Sequence, residues 1–127
     1  MLVKDKMSGA PVTIRGDADY KSAFGIMDDH AIHHLPVVDK NETLIGLVTL
    51  RDLQTAARCY LEAPAEITDV MHTELYTVKP DDALLDAVQL MDRHRIGCVP
   101  VIGEQARVVG MLTETDLFRT LSDFLQN

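Results

Sequence analysis

One internal offset constrains this chain more than anything else. The stretch Gly46-Leu-Val-Thr49-Leu-Arg-Asp52-Leu53 recurs as Gly110-Met-Leu-Thr113-Glu-Thr-Asp116-Leu117, 64 positions later. The same shift carries Met7 onto Met71, Thr13 onto Thr77, Asp17 onto Asp81, Met27-Asp28 onto Met91-Asp92, His30 onto His94 and Pro36-Val37 onto Pro100-Val101, without a gap. A period this long, present twice, describes a duplicated supersecondary unit rather than a solenoid. The copies are residues 1–64 and 65–127. A unit of that size buries too little surface to be comfortably stable alone, so the two are expected to share one module.

Hydrophobic periodicity gives each copy the order β-α-β-β-α, a mixed α+β fold. In the first, Val12-Thr13-Ile14 is a short strand and Asp17 a plausible N-cap. Tyr20, Ala23, Phe24, Met27 and Ala31 recur at helical spacing, predicting a helix over about residues 18–30. Leu35-Pro36-Val37-Val38 reads as a strand whose proline puts it at a start or an edge. A polar turn, Asp39 to Glu42, leads to a returning strand from Leu44 to Thr49. Leu50, Leu53, Ala57, Tyr60 and Leu61 then mark a helix ended by Pro64. The second copy repeats this with a strand from Leu75 to Val78, a cap at Asp81 or Asp82, and a helical face of Leu84, Ala87, Val88 and Met91. A hairpin over Val99–Ile102 and Arg107–Leu112 follows, then a helix carrying Leu117, Leu121, Phe124 and Leu125.

A net charge of −8 argues against a nucleic-acid partner, which needs a basic face. It leaves room for a small phosphate held by one or two local cations. Residues 1–7 lack the apolar core of a signal peptide, and no apolar run approaches the roughly 18 residues of a membrane span. A soluble, cytoplasmic protein is therefore expected. Cys59 and Cys98 show no metal or redox spacing and read as buried free thiols. No nucleophile elbow, Walker loop or cysteine–histidine pairing is present, so the chain does not read as an enzyme.

The repeated Gly-x-x-Thr-x-x-Asp lies where a hairpin strand enters a helix. Free N–H groups and the positive dipole end favour an anion there. A threonine hydroxyl can donate to a phosphate, and an aspartate can accept two ribose hydroxyls. The same spacing also fits a capping box, in which both side chains only satisfy orphan N–H groups. Spacing alone leaves both readings open.

The offset of 64, the Ile-x-x-Leu/Val-Pro-Val strands and the closing Gly-x-x-Thr-x-x-Asp-Leu together resemble a tandem pair of CBS (cystathionine β-synthase) domains over nearly the whole chain. The Thr113-Glu-Thr-Asp-Leu-Phe-Arg119 ending is similar to the CBS module of AcuB-like acetoin-utilisation proteins, which usually carry an ACT domain afterwards. The chain then reads either as a stand-alone relative or as a piece of a longer protein.

The resemblance implies two units packed with pseudo-two-fold symmetry and clefts between them that take AMP, ADP, ATP or S-adenosylmethionine. It assigns phosphate contact to Thr49 and Thr113 and ribose contact to Asp52 and Asp116. The base falls beside Thr13, Ile14, Thr77, Val78, Leu35, Pro36, Val99 and Pro100, and His33 and His34 stand where relatives often place phosphate-binding groups. It also implies a homodimer formed through helices, and an effector protein or domain that reads the ligand state.

The copies differ inside the motif. Arg51 in the first can hold a phosphate bidentately, whereas Glu114 in the second repels one, so one competent site and one altered site are expected. Two other readings are a ligand-free dimerisation module and, more remotely, a metal-binding regulator using His30, His33 and His34.

Overall fold

The computed structural model describes residues 1–59 and 65–126. Among them run α1 (Val3–Lys6), β1 (Ser8–Gly9), β2 (Ile14–Arg15), α2 (Tyr20–His30), β3 (His34–Val38), β4 (Leu44–Thr49), α3 (Leu50–Cys59), α4 (Leu84–His94), β5 (Cys98–Ile102), β6 (Val108–Thr113) and α5 (Glu114–Gln126). The strands make two three-stranded sheets, in the orders β2-β3-β4 and β1-β6-β5. This is the mixed α+β tandem architecture that the repeat implies. Tyr60, Leu61 and Pro64, assigned above to the end of α3, lie outside the described residues.

Contacts divide the chain into a unit spanning Val12–Leu75 and a second formed by Met1–Pro11 with the residues from Tyr76 on. These are not the two sequence copies. Each copy instead receives the lead-in segment of the other. Leu47 and His72 exchange both backbone hydrogen bonds, at 3.0 and 2.9 Å, and Ile67 is fully buried in the core around Ile14, Tyr20, Leu35 and Leu53. In the second unit β1 pairs with β6 through Ser8–Met111 and Gly9–Gly110, and Val3 joins Ala87, Val99, Val101 and Leu112 in the core. Shifted by 64, Ser8–Met111 is His72–Leu47, so the two lead-ins are the same device used twice.

That device explains the motif glycines. A Cβ on Gly110 would come within 2.9 Å of the Ser8 carbonyl oxygen and press on the Met7 thioether. One on Gly46 would meet the Met71 thioether and lie 3.0 Å from the His72 carbonyl oxygen. The glycines let the lead-in cross the hairpin strand at close range.

Several local expectations change. Asp17 does not cap α2; it pairs with Arg15 at 3.2 Å, while Asp19 accepts from the Lys21 N–H at 2.8 Å as the N-cap. Neither Asp81 nor Asp82 caps α4: Ala83 is the N-cap residue, Asp82 accepts from the Lys79 N–H and Asp81 pairs with Lys4. The Leu75–Val78 strand reduces to one bridge, Val78 to Val101. Pro36 sits in the central strand of its sheet, not at an edge. Its counterpart Pro100 shows why this is tolerated. The Pro100 carbonyl accepts from the Val78 N–H at 3.1 Å, and the Ile102 N–H donates to Val78 at 2.8 Å. The proline's missing N–H thus falls just ahead of the short parallel pairing, where no ladder bond is needed. Cys98 is buried as expected, but Cys59 is exposed because α3 turns Leu53 and Ala56 inward and its last residue outward.

Candidate functional site

Both copies of Thr-x-x-Asp fold into a complete capping box. The Thr49 N–H and hydroxyl donate to Oδ2 of Asp52 at 2.8 and 2.9 Å, and the Asp52 N–H donates back to the Thr49 hydroxyl at 3.2 Å. The second copy has the same three bonds between Thr113 and Asp116, at 2.9, 3.2 and 3.4 Å. The consequence for a ligand is specific. A hydroxyl has one proton, and here it goes to the aspartate, so a phosphate would have to win it from Oδ2. What each box leaves over is Oδ1 of the aspartate and the open start of a helix of ten or thirteen residues.

Those leftovers are unequal. In the first copy Nε2 of His72 lies 2.8 Å from Oδ1 of Asp52, so the imidazole donates to the oxygen that the box leaves over. The Asp52 side chain is 16% exposed and that of His72 is 60% exposed. In the second copy the place of His72 is taken by Ser8, and Oδ1 of Asp116 has no partner among the described residues although Asp116 is only 8% exposed. His72 escaped the sequence reading because its repeat mate is a serine and no motif includes it; only its spacing from Leu47 across the lead-in reveals it.

Strand register sets the rest of each half-site. His34 lies opposite Thr49, and Cys98 lies opposite Thr113. The Leu50 N–H donates to the His33 carbonyl at 2.9 Å, as the Glu114 N–H does to the Gly97 carbonyl at 3.0 Å, so the His33–His34 corner abuts the start of α3. His33 and Arg51 are exposed and His34 is half-buried. Glu114 flanks Gly97 and faces Cys98; burial first, and this carboxylate second, push the Cys98 thiol up to about 12.

The expected base-binding residues divide by depth. Leu35, Pro36, Val99 and Pro100 are fully buried, with Leu35 and Val99 inside the cores of their own units. Ile14 and Val78 are nearly so, at 5% and 6%, and the half-buried Thr13 and Thr77 precede them. In the Val12–Leu75 unit the Thr49–Asp52 box, His33, His34 and Arg51 thus gather at the start of α3, while Ile14 and Leu35 belong to that unit's core and Val78 and Val99 to the core of the other. Among the described residues no three of His, Cys, Asp and Glu converge as a metal site. His30 ends α2 while His34 opens β3, and Ala31 between them turns into the left-handed region at φ 53°.

The CBS domain family matches residues 3–58 and 67–123, which is most of the chain. This protein is a CBS domain pair. Among solved structures it is similar to the CBS domain pair of protein MJ0100, crystallised in complex with 5-methylthioadenosine and S-adenosyl-L-methionine, at 30% identity over 97% of both chains and a TM-score of 0.88. It is also similar to an AcuB, a putative acetoin-utilisation protein from Vibrio cholerae, at 31% identity over 99% of this chain and 93% of that one, with a TM-score of 0.89. A homoserine O-acetyltransferase of Methanocorpusculum labreanum shares 34% identity over 99% of this chain, but the chain spans only 25% of that enzyme's length. Among the described residues no helix is long and apolar enough to cross a membrane.

Proposed function

We propose that this CBS pair is a regulatory adenine-nucleotide-binding module, without catalysis of its own, that changes conformation or partner affinity when the ligand binds. The observation that carries the reading is the similar pair, matched over 97% of both chains, which holds two adenine-containing ligands. Asp52 and Asp116 each offer Oδ1, the carboxylate oxygen their box leaves over, to ribose hydroxyls. Arg51 supplies positive charge, and His33 and His34 supply N–H donors, at the start of α3 to an anionic tail. Thr49 and Thr113 hold the aspartates in position and release their hydroxyl to a phosphate only by opening the box. Thr13, Ile14, Thr77 and Val78 border the base. A ligand moves a two-state equilibrium only by its differential affinity for the two states, so an effector would read that difference.

The module is expected to act as a homodimer. Leu85, Phe118, Leu121, Phe124 and Leu125 are all more than half exposed, and α5 and α4 flank an apolar groove of about 690 Å³. A patch of this kind marks an interaction face.

A second reading has its own support. Both boxes are complete without any ligand, as in a structural dimerisation module whose Thr and Asp are only caps. A thermal-shift panel of AMP, ADP, ATP, S-adenosylmethionine and NADH at millimolar concentration separates the two. A ligand bound only by the folded state at about 100 times its dissociation constant adds about 2.7 kcal/mol, a rise of several degrees. A chain whose melting temperature moves with none of them is the structural module.

A further inference from the structure

We infer that His72 is a built-in competitor for the Asp52 half-site, weakening ribose capture there and making the two carboxylates of this chain unequal. The inference rests on the adenine-ligand reading above and assigns a specificity-determining role within it. Its basis is geometric. The capping box consumes one oxygen of each aspartate in the same way, so only Oδ1 is left to recognise a diol. In the Val12–Leu75 unit that oxygen is already 2.8 Å from Nε2 of His72. The histidine is not there by accident of a mobile side chain alone, because its backbone is clamped to Leu47 by two hydrogen bonds of 3.0 and 2.9 Å. Gly46, directly beside Leu47, allows that approach. In the other unit the matched bridge carries Ser8, which is exposed, and Oδ1 of Asp116 is left to a ligand.

Magnitude decides between closing the site and attenuating it. The His72 side chain is 60% exposed, and a pair open to water on one side is worth at most about a fivefold factor in an equilibrium. His72 therefore attenuates the Asp52 half-site and does not abolish it. His72 occupies one of the two acceptor sites of Oδ1, so a diol that donates both hydroxyls to this oxygen must displace the imidazole, whereas a ligand that brings no diol meets no competition. The histidine thus penalises nucleosides in one half-site only.

The test isolates each half-site with an isosteric change. Asp116→Asn keeps the oxygen that caps α5 and replaces the outward oxygen with an NH2, leaving the Asp52 half-site as the one intact diol acceptor; Asp52→Asn does the reverse. Calorimetric titration with S-adenosylmethionine of Asp116→Asn and of Asp116→Asn/His72→Ser is expected to show about two- to fivefold tighter binding in the double variant. The mirror pair, Asp52→Asn and Asp52→Asn/Ser8→His, is expected to show weakening of the same size. Unchanged or weaker binding on His72→Ser, with the ligand still titrating, overturns the competitor role and makes His72 a bystander or a ligand contact. No heat in any of the chains, the unsubstituted one included, overturns the adenine reading and this inference with it.

Discussion

In the Val12–Leu75 unit Asp52 gives one oxygen to the capping box and the other to His72, whereas in its companion unit Asp116 gives one oxygen to the same box and keeps the other. The residues opposite the threonines differ as well: half-buried His34 against Thr49, and buried Cys98 against Thr113. The helix starts carry Arg51 and Glu114 respectively. The fold needs what the two units share, namely the box, the glycine crossing and the proline strand. What they do not share is the edge around the box: His72, His34 and Arg51 in one unit, Ser8, Cys98 and Glu114 in the other. A duplicated scaffold can thus hold its architecture fixed while the edges around its two boxes drift apart.

The cysteine on the second edge gives the largest expected contrast. The Cys98 thiol is pushed up to about 12 by burial and Glu114, while Cys59 is exposed on α3. At neutral pH the Cys98 thiolate, the reactive form, should be scarcer than that of an ordinary thiol of 9.0 by on the order of a hundredfold or more. Timed labelling with a thiol reagent, read by mass spectrometry, should modify Cys59 first and Cys98 only on unfolding. The same group predicts a pH dependence. Below the ordinary thiol value of 9.0 the thiol is protonated whether folded or not, and the stabilisation is complete. As pH rises from 9.0 toward about 12 the unfolded thiol ionises while the folded one resists, so stability falls across that window. Cys98→Ser should flatten this decline in melts run between pH 8 and 10.5.

Next in size are the glycine crossings. Gly110→Ala drives a methyl onto a backbone carbonyl and Met7, and overpacking of this sort costs about 1–3 kcal/mol. Gly46→Ala should cost a similar amount and, in addition, displace His72 from Asp52. Thermal melts measure the first effect, and the histidine ring signals in an NMR spectrum measure the second, which Gly110→Ala should not produce. Removing a cap comes after that. Asp52→Ala and Asp116→Ala should each lower stability by about 0.5–2 kcal/mol, seen as a reduced denaturation midpoint with unchanged slope. Arg51→Ala is expected to be nearly silent in stability, because the residue is exposed, and to weaken a phosphate-bearing ligand such as ATP more than S-adenosylmethionine. Equal effects on both ligands would remove Arg51 from the phosphate role.

Much of this architecture was legible because it is local. Alternation in Leu44–Thr49, helical spacing in α2 and α4, and the Thr-x-x-Asp box each follow from neighbours within a few residues. Caps were harder, since Asp17 and Asp19 both precede α2 and only backbone geometry shows which carboxylate faces the Lys21 N–H. The lead-in pairing was invisible for a different reason. Ser8 meets Met111 from the far end of the chain, and β1 is two residues long, too short to carry a periodic signal. His72 was hidden with it. The part of the candidate site that belongs to the duplicated motif could be read directly, and the part that distinguishes the copies could not.

The inequality of the two carboxylates is tested most directly by calorimetric titration of S-adenosylmethionine into the unsubstituted chain, Asp52→Asn and Asp116→Asn. Two unequal binding steps are expected in the unsubstituted chain, with the tighter step lost in Asp116→Asn and the weaker one lost in Asp52→Asn. Loss of the tighter step in Asp52→Asn, equal loss in both variants, or no binding by any of the three would contradict it.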